Sequence, residues 1–174
     1  PMEPLLALVR RAVDMPRVQA SVWFAIAFVH LWARRAAAAI EAADRSIRQT
    51  HLARVPVGRS TRIIHALAVA LLDASRGATE LEAVGHTALA EGSSTDAAVA
   101  FTHAGFHHFL AGDLQAAGAC FDRGATDKRR LGVWSRWGRR AVDTRLGDPI
   151  ARLTLLQADA GEVRMKGGRG GEVG

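Results

Sequence analysis

The chain has 174 residues, with 23 Lys+Arg against 17 Asp+Glu for a formal net charge of +6, and 49% of its residues are hydrophobic. This apolar fraction excludes an intrinsically disordered chain, and the length suffices for one core rather than two full domains. A single cysteine, Cys120, excludes a disulfide framework or a multi-cysteine zinc site and points to a reducing, cytoplasmic setting.

Pro1 ahead of the first Met suggests a segment of a longer chain, and residues 1–16 read as a short helical lead-in with a helix over 4–14. Leu5 to Val9 is too short for a secretory signal and is followed, not preceded, by Arg10 and Arg11. The most apolar stretch, 18–33, contains Gln19 and His30 and falls short of the roughly 20 residues that span a bilayer. It is predicted as a buried core helix over 17–34, with no membrane span. Further helices are predicted over 36–51, 60–76, 79–91, 95–111, 114–127, 133–146 and 149–160, separated by Gly- and Pro-containing breaks. Ser60, Thr79, Ser94 or Thr95, Asp113 and Asp148 stand where a side-chain oxygen can accept first-turn amides, and Pro149 suits a first helical position. No segment alternates with period two, so the fold class is all-α. From Gly161 the apolar rhythm stops, and 161–174 reads as a disordered Gly-rich tail. Lys128 and Lys166 are the chain's lysines, and neither Asn nor Tyr occurs. GC-rich DNA read in any frame gives the same bias, so only periodicity distinguishes a folded chain here.

A longer period overlies these helices. Gly77, Gly112 and Gly147 recur at 35-residue intervals, each expected to end one helix and precede another, which makes stacked antiparallel helical hairpins. Within 98–131, Phe101, Gly105, Gly112, Asp113, Ala117 and Phe121 resemble the tetratricopeptide repeat, with His108 at the family's Tyr and Gly124 at its late Ala. Ala70 holds the small position of the unit around Gly77, Arg140 that of the unit around Gly147, and Arg35 replaces the turn glycine of an irregular N-terminal unit. The resemblance covers 17–160, assigned as a TPR-like α-solenoid of three to four hairpins. It implies peptide binding on a concave face drawn from the first helices: Ile64, Leu67, Leu71, Val99, Thr102, Phe106, Phe109, Trp134 and Trp137. That lining suits a peptide, an amphipathic helix or an apolar ligand. The Lys and Asn set of chaperone-binding members is missing, with Thr102 and Phe106 at such positions. The chain is also similar to the helical-repeat segments of large bacterial LuxR-type regulators of the MalT-like class, which implies a regulatory module in transcription. It has neither a GxxxxGK[ST] phosphate loop nor a helix-turn-helix after Pro149.

The segment 127–145 holds seven basic residues against two acids. On a helix from Val133, Trp134, Trp137 and Ala141 share one face with Arg136, Arg139 and Arg140 beside it. The alternative function is therefore nucleic-acid binding through Arg129, Arg130, Arg136, Arg139 and Arg140, with the tryptophans stacking on bases. The same face could instead lie on an anionic membrane surface, or its tryptophans could pack on the preceding hairpin.

His103 and His107 form an i,i+4 pair with Cys120 on the next predicted helix, but Ala104 stands where an HExxH site has its general base. This reads as a polar, partly packed helix face, so no metal is assigned. Cys120 lies in an Ala-rich apolar setting that suppresses thiolate formation, and the carboxylates suit capping and solvation. The expectation is a non-catalytic interaction or regulatory module with no cofactor and a protein or peptide partner. Self-association or a longer parent chain is expected too, because an uncapped solenoid end exposes apolar surface.

Overall fold

The computed structural model describes residues 2–126 and 130–146, with the side chains of Arg130 and Leu131 excepted. Ala, Leu, Arg and Glu propagate helices, while Pro and Gly concentrate at the breaks. Eight helices follow among the described residues: α1 (Glu3–Arg11), α2 (Pro16–Trp32), α3 (Ala36–Leu52), α4 (Arg59–Ala70), α5 (Ala74–Ala90), α6 (Ser94–Ala111), α7 (Leu114–Gly124) and α8 (Arg130–Leu146). No strand occurs among these residues, so the chain is all-α there. The expected helix 149–160, the Asp148 cap, the Gly147 turn, Arg129 and the tail 161–174 lie outside the described residues.

One break is displaced from its expected place. Gly77 does not end a helix; it sits in α5, and the turn falls at 71–73 because the Asp73 carboxylate accepts the Arg76 amide at 3.0 Å and caps α5 there. Thr79 is thus interior to α5, and Ser60 is interior to α4, whose N-cap is Gly58. Gly77 is glycine for packing: a Cβ on it would lie 2.3 Å from the Cα of Ala70. The cap of α6 is Ser93, one residue before the expected pair, and its hydroxyl donates to Asp96 at 2.8 Å. Asp113 caps α7 as expected, accepting from the Ala116 amide, after Gly112 turns the chain with φ +86°. Between α2 and α3 the left-handed residue is Arg34 (φ 56°), and Arg35 is the α3 N-cap.

Each helix packs on the next in the chain; α2 also touches α4, α4 touches α6, and α6 touches α8. The core is a series of clusters along this path. Val22, Ile26, Ala27, Ala42, Ala43 and Ile64 join α2, α3 and α4, with Leu5, Leu6 and Val9 of α1 laid against them. Ile63, Ala66, Leu81, Ala100, Ala104 and Cys120 join α4 through α7. Alanine supplies much of this interior, which lets helix axes approach closely but leaves few large side chains to fill the gaps.

Those gaps are filled by two phenylalanines that press on glycines. Phe101 is 1% exposed, and its ring lies within 3.0 Å of where a Gly85 Cβ would stand, with His86 edge-on at 5.1 Å. Phe121 is fully buried and meets Gly105 and Gly138 in the same way, with Phe106 edge-on at 5.0 Å. Gly85–His86 and Gly105–Phe106 each receive the phenylalanine sixteen residues later. In α8 the close approach to Phe121 belongs to Gly138, so Arg140 does not occupy the small position there. The apolar stretch of α2 is only half buried: Val18, Phe28, Val29 and Trp32 are exposed.

Candidate functional site

Two places bring chemistry-bearing side chains together. The first is the seam between α6 and α8. The Thr102 and Ser135 hydroxyls hydrogen-bond at 2.6 Å inside the protein, which fixes these helices side by side. Ser135, Gly138 and Val142 face inward, and Trp134, Trp137 and Arg145 occupy one flank of α8, within about 80° of one another at 100° per residue. The Arg145 guanidinium lies 5.3 Å from the Phe109 ring centre, so this flank adjoins the Phe109 side of α6. Trp134 and Trp137 are 50% and 48% exposed and meet edge to face at 5.5 Å. Phe106, although braced on Phe121, is 36% exposed.

The rest of the expected concave lining does not reach an open surface. Ile64 is buried against α2 and α3, and Thr102 is buried with its hydroxyl bonded to Ala98 O and Ser135. Leu67 and Val99 are partly buried against the core cluster of α4 to α7, and Leu71 is the half-buried C-cap of α4. Of the expected lining, Phe106, Trp134 and Trp137 are exposed, and Phe109 is partly buried.

The basic residues split. Arg136 is exposed, but Arg139 lies over Gly118 and pairs with Asp143 at 3.1 Å and Asp122 at 3.6 Å. Arg140 is half-buried, and Arg130 belongs to the first turn of α8.

The second place is the interior between α5, α6 and α7. His108 is buried and must satisfy its ring nitrogens; its Nε2 hydrogen-bonds Glu82 Oε1 at 2.6 Å. Cys120 stands beside this pair, so that one ligand-type atom each of Glu82, His108 and Cys120 lie within 4.8 Å of one another. Burial first, and then the adjacent Glu82 carboxylate, push the Cys120 thiol up to about 12. Arg123 Nη1 reaches the other Glu82 oxygen at 3.8 Å. The i,i+4 pair of the sequence, His103 and His107, is not part of this cluster. Burial lowers the pKa of both, His107 further by the neighbouring His103 and His108, and His107 Nδ1 is buried without a hydrogen-bond partner. Glu82 was not legible as a partner because it lies 26 residues from His108 on another helix; the only hint was an imidazole at a position that the fold buries.

Elsewhere, clefts of about 230 Å³ beside His65 and about 290 Å³ beside Phe24 are smaller than the roughly 300–1,000 Å³ of drug-sized ligand pockets. No helix among the described residues is long and apolar enough to cross a membrane. No protein-family model, curated protein or solved structure matches this chain.

Proposed function

We propose that the chain is a non-catalytic interaction module built as a stack of TPR-like helical hairpins, which binds an amphipathic helical segment of another protein. The supporting observation is the pair of half-exposed, mutually packed tryptophans of α8 on the flank that adjoins Phe109 of α6. Half-exposed aromatic rings held in one geometry lose little entropy on binding and anchor interfaces disproportionately. Contacts of α2 with α4, α4 with α6 and α6 with α8 suit a stack whose first helices share one side. Arg145, exposed on the tryptophan flank with its guanidinium 5.3 Å from the Phe109 ring centre, favours a partner with acidic residues flanking its apolar stripe. Nucleic-acid binding is the weaker reading, because Arg139 is already paired with two carboxylates and its guanidinium lies over Gly118 of α7.

Fluorescence anisotropy of labelled acidic amphipathic peptides tests this reading. Saturable binding is expected, weakened at least tenfold by Trp137→Ala, about 1.4 kcal/mol, with the far-UV dichroism unchanged. Equal affinity of the variant, or binding only to DNA with steep loss in salt, contradicts it. Trp137→Ala is the cleaner probe, since Phe106→Ala would also remove a ring braced on Phe121.

A further inference from the structure

We propose that Glu82, His108 and Cys120 form a binding site for one borderline divalent transition-metal ion of the zinc(II) class. The proposal is independent of the peptide-binding face. It rests on the meeting of a carboxylate from α5, an imidazole from α6 and a thiol from α7, with one ligand atom of each within 4.8 Å of the others. Three consecutive helices converge there, and the donor set combines a soft sulfur, a borderline nitrogen and a hard oxygen.

The geometry requires only small adjustments. Metal-to-ligand distances of about 2.0–2.3 Å in a tetrahedron put ligand atoms about 3.3–3.7 Å apart. The His108–Glu82 pair, at 2.6 Å, would therefore open by under about 1 Å as the ion takes the place of the shared proton. Cys120 Sγ, within 4.8 Å of the other two ligand atoms, would close by up to roughly 1 Å. Thiolate and carboxylate together carry two negative charges, which a divalent ion cancels, so the loaded cluster is neutral where the buried thiolate alone is disfavoured. Coordination breaks the S–H bond of Cys120 and the N–H bond at His108 Nε2, and forms the metal–sulfur and metal–nitrogen bonds; the thiol proton leaves to solvent, and the imidazole proton is exchanged through solvent to Nδ1, which keeps the ring neutral. His108 and Cys120 are buried, whereas the Glu82 side chain is 27% exposed; ion entry and a fourth, water ligand both belong on the Glu82 side. Held this way, the ion would tie α5, α6 and α7 together and stabilise the fold by mass action.

The test uses the full chain, stripped with chelator and titrated with cobalt(II) and then zinc(II). One equivalent of cobalt is expected to give a tetrahedral ligand-field spectrum with a thiolate-to-cobalt charge-transfer band, both lost when zinc displaces it. Cys120→Ala should abolish the charge-transfer band, and Glu82→Gln and His108→Gln should weaken binding at least tenfold. His103→Gln and His107→Gln should leave binding unchanged, which separates this cluster from the i,i+4 pair of α6. Zinc at a hundredfold above its Kd should raise the folded-to-unfolded ratio about a hundredfold in the parent chain and leave Cys120→Ala unmoved. Absence of a charge-transfer band in folded protein, or binding that survives Cys120→Ala and fails in His103→Gln, would overturn the proposal. Because a core variant can lose its fold, thermal melts of each apo variant accompany the titrations, and the surface-accessible Glu82→Gln decides wherever a buried variant melts.

Discussion

Burial of two imidazoles in α6 makes the protein's stability depend on acid in a defined direction. His103 and His107 both have lowered pKa values in the folded chain, with burial the leading cause in each. Unfolded histidine takes up its proton near 6.5, so below that pH the unfolded chain binds protons that the folded chain refuses. Their contribution to stability is therefore complete above about pH 6.5 and declines as the pH falls through the unfolded value toward the depressed folded ones. The melting temperature should drop between pH 7 and 5, and the double variant His103→Gln/His107→Gln should flatten that drop. An unchanged slope in the double variant contradicts the assignment. The sequence showed the crowding of histidines in this helix but paired them by i,i+4 spacing alone. What separates His108 from the others is a carboxylate on α5, and that neighbour is set by how helices stack, which local spacing does not encode.

At the scale of helices, all-α character and most helix limits were legible because they depend on propensity, caps and breaks within a few residues. Asp113 announced α7, and α2, α3 and α6 begin and end within one or two residues of the expected bounds. The turn before α5 was misplaced because glycine has two uses. Gly77 looked like a stop, but its role is to let α5 come against Ala70, and Asp73 supplies the cap. The same ambiguity hid the pairing of Gly85 with Phe101, and of Gly105 and Gly138 with Phe121, which only a three-dimensional approach reveals. The apparent 35-residue rhythm therefore does not describe the first two well-capped hairpins, whose Asp73 and Asp113 N-caps stand 40 residues apart. A methyl group at Gly138 would sit 2.3 Å from the Phe121 ring, so Gly138→Ala should cost about 1–3 kcal/mol by overpacking, despite the better helix propensity of alanine. Gly58→Ala is the comparison: its new Cβ finds only Thr61 Oγ1 at 3.8 Å, so it meets no overpacking and should cost less than Gly138→Ala, no more than the roughly 0.5–1 kcal/mol of replacing a glycine N-cap with alanine. Urea unfolding of both variants measures the difference, and equal midpoints would refute the glycine–phenylalanine contact as a packing constraint.

For the molecule as a whole, clusters of small residues pass from one helix pair to the next, and the chain's large aromatic side chains divide between locking and display. Phe101 and Phe121 lock; Trp134, Trp137 and, on α2, Trp32 remain at the surface. The sequence reading named Trp134 and Trp137 but extended the face to Ile64 and Thr102, because an apolar or small residue on a first helix can serve the core as well as a groove. Both the proposed peptide-binding face and the proposed metal site of α5, α6 and α7 require that the helices hold one another in register through their shared clusters. Far-UV circular dichroism of the whole chain, followed through a thermal melt, tests that requirement directly. The account predicts a strongly helical spectrum and one cooperative transition; a weak helical signal, or a gradual loss of helix without a transition, would contradict it.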